Sequence, residues 1–160
     1  MHWNVLSDFR AKATLKQSIE PYILDWSNRS FLIQEHIKSV DPDIIGLCDV
    51  DGGSRNKFLS NSICSLGYQE YHKDNTKLGV SIFFKSEQFT LINSNFYPYE
   101  KKQAAKKKKQ PDEDASFSEE YFIYVHLQYK LNPEKELFFV ETHLNQQMNQ
   151  QEEEKKYKLM

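Results

Sequence analysis

DIIGLCDVDGG, residues 43–53, is the stretch on which the reading of the whole chain turns. Ile44 to Val50 is too continuously apolar for a half-exposed strand and suits one covered on both faces. It ends in two carboxylates, Asp49 and Asp51, followed by Gly52-Gly53. Strand side chains repeat every two positions, so the two acids share a face if the strand runs that far. A strand-end acid either faces water or caps a turn, or else a cation in a cleft offsets the cost of desolvating it.

The segments on either side are helical. SNRSFLIQEHIKSV, from Ser27, places Leu32, Ile33, His36, Ile37 and Val40 on one stripe. Ser27 or Asn28 is the expected cap, and Asp41-Pro42 the expected stop. Residues 54–66 form a second expected helix with Phe58, Leu59, Ser62, Ile63 and Leu66 on one side and Gly67 at its end. HWNVL is a short strand at the start of the chain. Helix, strand and helix in this order argue for an α/β layer fold. The second half is strand-like: GVSIFF, FTLINSNF, YFIYVHLQYKL and ELFFVETHL, the last two joined by the turn NPEK. Period-two alternation puts Tyr121, Ile123, Val125, Leu127 and Tyr129 on one face.

Composition bounds the function. The chain has 160 residues, enough for one domain, with 21 Lys+Arg against 23 Asp+Glu, so net charge does not call for nucleic acid. Cys48 and Cys64 have no metal-like spacing, and no signal peptide or membrane-spanning run is present, which implies an intracellular protein, cytoplasmic or nuclear. The segment KKQAAKKKKQPDEDASFSEE carries six lysines within nine residues and then five acids. It reads as a charged loop insertion at about 100–120, and less readily as a phosphate-binding patch. A first strand with little chain before Asn4 and a polar tail that stops without a cap suggest a fragment.

Taken together, the blocks WNVLSD, WSNRSFLIQEHI, DPDIIGLCDVD, LGYQEYHK, GVSIFFKSEQFTLINS and FFVETHLN resemble, in order, the landmarks of the endonuclease/exonuclease/phosphatase superfamily. Within it they are most similar to the branch of nocturnin, Angel and the poly(A) deadenylases. The resemblance implies the N-terminal half of a two-sheet α/β sandwich with a DNase I-like fold, incomplete here, over residues 1–160. The family's later G-D-x-N and S-D-H motifs do not occur in this sequence.

The resemblance also implies roles for particular residues. Asn4 and Asp49 would hold Mg²⁺ or Mn²⁺, and His143 of the T-H-L block would act catalytically by binding the scissile phosphate. Lys73 would lie near substrate phosphates, with Asp51 behind Asp49. Two positions depart from the family: its Gln-Glu-Val is Cys48-Asp49-Val50 here, and its Asp-Gly is Leu78-Gly79. The shorter acid changes the reach to an ion that demands near-octahedral oxygens at about 2.1 Å. Without the resemblance, Asn4 is an ordinary strand residue, Lys73 an ordinary surface lysine and His143 a packed strand-end histidine.

The function this implies is divalent-metal-dependent phosphodiester hydrolysis, most like an RNA 3′-exonuclease of the deadenylase type, with this chain inactive alone. The alternative is a non-catalytic relative that keeps the scaffold to bind RNA or a protein. Partners would be poly(A)-like RNA or another phosphate ester, together with a protein partner or a second half covering the exposed sheet, and no membrane.

Overall fold

The computed structural model describes residues 1–15, 18–51, 54–73, 78–99 and 121–143. The expected insertion at 100–120 and the polar tail lie outside them. In chain order the elements are β1 (His2–Asn4), α1 (Asp8–Leu15), α2 (Pro21–Leu24), α3 (Trp26–Val40), β2 (Ile44–Asp51), α4 (Ser54–Cys64), β3 (Tyr68–His72), β4 (Leu78–Lys85), β5 (Phe89–Pro98), β6 (Tyr121–Tyr129) and β7 (Glu136–Thr142). They form two sheets, ordered β1-β2-β4-β3 and β5-β6-β7. β1 runs parallel to β2, and the other described pairs are antiparallel. The α/β two-sheet expectation therefore holds.

Helix α3 begins where Asp25 accepts a hydrogen bond from the Ser27 N–H at 2.9 Å, so the cap is Asp25 rather than Ser27 or Asn28. It ends where Asp41 turns left-handed, at φ 48°, and its N–H reaches the Ile37 carbonyl at 2.8 Å. The following Pro42 cannot continue the helix. The buried line is Ser30, Ile33 and Ile37, narrower than the expected stripe. Leu32 lies about 100° round the helix from Ile33 and is exposed, as is Val40 at the last turn. His36, also on the expected stripe, is exposed as well, and its ring meets Trp3 edge-on at 5.1 Å. Gly67 takes φ 95°, which a residue with a Cβ rarely adopts, and closes the turn after α4.

β2 lies between β1 and β4 and is covered on both faces, as its continuous apolar run requires. Ile45, Leu47 and Val50 pack with Ile33 and Ile37 of α3 and Leu59 and Ile63 of α4. Cys48 faces the other way, into a second core with Val80, Ile82, Phe84, Ile123, Val125 and Leu127. That core joins the two sheets. The β6 alternation holds, with Tyr121, Ile123, Val125 and Leu127 buried. Lys135 N–H to the Asn132 carbonyl, 2.9 Å, closes the expected hairpin turn.

Gly46 lets the two sheets approach closely. A Cβ there would stand 1.7 Å from Glu141 Oε2 and 3.1 Å from the Phe139 ring. Overpacking of this kind costs about 1–3 kcal/mol, so Gly46→Ala should lower the unfolding free energy measured in urea by that amount and shift the midpoint down accordingly. Combining it with Glu141→Ala should recover part of the loss. A midpoint unchanged by Gly46→Ala would mean that the sheets do not meet here.

Candidate active-site edge

The end of β2 carries one residue too many. Cys48 pairs with Val80 and Val50 with Gly79, so Asp49 has no partner on β4. This is a β-bulge, and Asp49 sits in it at φ 59°. Aspartate tolerates that left-handed backbone better than longer side chains do, which suits the short acid at this position. The bulge returns Val50 to the helix-facing side with Ile45 and Leu47. Asp49 and Asp51 consequently do not follow simple alternation, although the strand does persist to Asp51.

The two acids are both buried and differently used. Asp51 Oδ2 accepts the N–H of Asp8 at 2.6 Å, tying the first residue of α1 to the end of β2. Both carboxylate oxygens of Asp49 are buried and accept no hydrogen bond among the described residues. Its nearest cation is Arg10, whose Nε lies 3.4 Å from Oδ1. Asp8 is buried too, with Lys12 Nζ at 2.9 Å. Arg29 serves all three acids at longer range: burial pushes its guanidinium pKa down, and the charges of Asp8, Asp51 and Asp49 oppose that shift. Its Nη2 donates to the Val5 carbonyl at 2.6 Å and to the Leu6 carbonyl. The Trp26 ring lies 5.4 Å from this guanidinium. The W-x-x-R pattern thus clamps the turn between β1 and α1, a role that sequence reasoning did not assign to Arg29.

Asn4 ends β1 beside Cys48. Its amide oxygen accepts the Leu6 N–H at 2.9 Å, holding Leu6 at φ 51°. Lys73 follows β3, and its ammonium lies 3.7 Å from the centre of the Phe96 ring and 4.8 Å from that of Tyr121, a cation–π bridge between the sheets. His143 follows directly on β7 and is half-buried.

Strand directions place these residues at one edge. β1 is parallel to β2, so Asn4 and Asp49 lie at the same end. Asp51 pairs with Leu78 at the start of β4, whose other neighbour, β3, ends there at His72. Lys73 then meets Tyr121 at the start of β6, and Phe122 pairs with Thr142 at the end of β7, just before His143. Asn4, Asp49, Asp51, Lys73 and His143 therefore share one end of the sandwich.

Asp49 has the chemistry to hold a cation, since two buried carboxylate oxygens that accept no hydrogen bond are what a hard ion satisfies. Asn4 would first have to turn its oxygen away from Leu6. Among the described residues, the group of three ligand-type side chains with meeting atoms is a different one, next to Asn4 and Asp49: His2, Cys48 and Glu141. No sequence spacing pointed to it. Burial, then the charges of Glu141 and Asp49, pushes the Cys48 thiol up to about 11.

No protein-family model matches the sequence. Over 104 residues the chain is 32% identical to protein angel homolog 2 of Danio rerio, an alignment covering 62% of this chain and 18% of that protein. It is 27% identical over 105 residues to the CCR4-Not complex 3′-5′-exoribonuclease subunit Ccr4 of Yarrowia lipolytica, covering 58% and 15%. Among solved structures it is similar to ANGEL2, a 2′,3′-cyclic phosphatase crystallised with adenosine-2′,3′-vanadate. There the TM-score is 0.74 at 24% identity, over 91% of this chain and 41% of that one. The chain thus spans under a fifth of the curated relatives and about two-fifths of that structure.

Two outcomes test this geometry. Arg29→Met removes the two carbonyl hydrogen bonds that clamp the β1–α1 turn and should cost about 1–3 kcal/mol in urea unfolding; a loss under about 0.5 kcal/mol would make the clamp an ordinary surface contact. In the Cys64→Ser chain, Cys48 should resist iodoacetamide near neutral pH and react as the pH approaches its raised value. Ready alkylation at neutral pH would contradict its burial beside two acids.

Proposed function

We propose that this chain, similar over part of its length to members of the endonuclease/exonuclease/phosphatase superfamily and sharing part of their two-sheet fold, supplies one side of a metal-dependent phosphoester hydrolase site. The reading rests on one observation above the others: Asp49 is lifted out of strand register with both oxygens buried and accepting no hydrogen bond, its closest cation being Arg10 at 3.4 Å. Asp49 would hold the ion, with Asn4 beside it. A hard divalent cation, Mg²⁺ or Mn²⁺, supplies charge neutralisation of the phosphate and of the leaving oxygen. His143, at the same edge, would donate a hydrogen bond to the phosphate as charge builds on its oxygens. Lys73 would hold substrate phosphates by charge. Asp51, behind Asp49, anchors the start of α1.

The substrate is a phosphate ester of RNA. One relative is named as a 3′-5′-exoribonuclease and another as a 2′,3′-cyclic phosphatase. We favour a 3′-RNA end as the substrate, of the deadenylase type. No helix among the described residues is long and apolar enough to cross a membrane.

A second reading is a scaffold that binds RNA or protein without turnover. Arg10 supports it, because its guanidinium lies 3.4 Å from Asp49 Oδ1, on the carboxylate an ion would need. Manganese titration followed by electron paramagnetic resonance separates the two. The hydrolase reading predicts one bound ion, lost in Asp49→Asn. In the protein carrying this chain, His143→Ala should slow hydrolysis of a poly(A) 3′ end by roughly 10²–10³-fold while leaving ion affinity intact. Absence of a bound ion, or one that survives Asp49→Asn, would sink the hydrolase reading.

A further inference from the structure

We propose that His2, Cys48 and Glu141 form a second metal site, for a zinc-class transition metal, independent of the cation assigned to Asp49. The three residues come from three strands, β1, β2 and β7, and so from both sheets. Their ligand atoms, an imidazole nitrogen, the thiol sulfur and a carboxylate oxygen, all lie within 4.8 Å of one another. Tetrahedral zinc holds its ligands at about 2.0–2.3 Å, which sets them roughly 3.3–3.8 Å apart. His2 Nδ1 and Glu141 Oε2 are already 3.0 Å apart. His2 is exposed, so its ring is free to adjust and the metal has a way in.

The site is built rather than incidental. Glu141 is buried, and its Oε1 accepts the N–H of Thr142 at 3.2 Å, which leaves Oε2 aimed at His2. This is the outer support that fixes a ligating carboxylate. Gly46 gives that carboxylate its space, since any Cβ would overlap it. Cys48 is buried beside it. A protonated thiol gains little from two nearby carboxylates, whereas a dication makes the same carboxylates favourable and the thiol a thiolate.

The donor set chooses the metal class. Thiolate with imidazole and carboxylate suits zinc, cobalt or a similar borderline ion, while magnesium prefers oxygen alone. Three protein ligands leave a fourth position open to water or another ligand. The plainer account of the same atoms is a His2–Glu141 ion pair with a bystander thiol. Cys48 separates the two accounts.

Cobalt(II) titration of the metal-free chain, followed by absorption spectroscopy, makes that separation. One equivalent should give tetrahedral d–d bands and a thiolate-to-cobalt charge-transfer band, both displaced by zinc. Cys48→Ser should lose the charge-transfer band; Cys64→Ser and Asp49→Asn should keep it, the latter distinguishing this site from the hydrolase ion. His2→Ala, at an exposed position, should fold normally by circular dichroism and weaken zinc binding by roughly tenfold or more, so it decides the matter if Cys48→Ser does not fold. Absence of a charge-transfer band in the unaltered chain, its persistence in folded Cys48→Ser, or unchanged zinc affinity in His2→Ala would overturn the proposal.

Discussion

Desolvating a carboxylate inside a sheet is costly, and the end of β2 does it twice within three residues. The structure resolves this by inserting one residue. With Asp49 in a bulge, the apolar residues before and after it, Leu47 and Val50, keep facing the helices. A regular strand would instead turn Val50 to the opposite face, and Asp51 would not be where Asp8 needs it. The fixing of α1, the continuity of the helix-side core and the orientation of Asp49 all depend on that single irregularity.

Charge balance around the bulge follows from the same constraint. Asp8, Asp49 and Asp51 are buried, and Arg29 and Arg10 approach them from the helices. Arg29 also binds two carbonyls of the β1–α1 turn, so one guanidinium secures both the backbone and the acids. Left-handed Leu6 and Asp49 lie at this same end. Backbone strain held in place by surrounding hydrogen bonds is characteristic of functional edges.

Much of this was legible in the sequence where periodicity is strong. β2, α3, α4 and the β6–β7 hairpin declared themselves because a continuous, a 3.6-residue and a two-residue pattern differ plainly. β3 was not read as a strand because it is a polar edge: Tyr68 is buried while Gln69 is exposed. α1 and α2 are short, and their placement depends on contacts such as Asp51 with Asp8 across 43 positions. The bulge itself has no sequence signal beyond the tolerance of aspartate for positive φ. The His2–Glu141 contact spans 139 positions, so no spacing rule reaches it. Asn4, Asp49, Lys73 and His143 were named from family likeness, and strand direction then brought them to one edge.

The central claim is that the bulge presents Asp49 as a ligand for a hard cation. Anomalous diffraction from crystals of the chain soaked in manganese tests it most directly. The account predicts a single strong peak at coordination distance from the Asp49 carboxylate, with Arg10 displaced from Oδ1. No peak at Asp49, with the Arg10 guanidinium still against that oxygen, would contradict it.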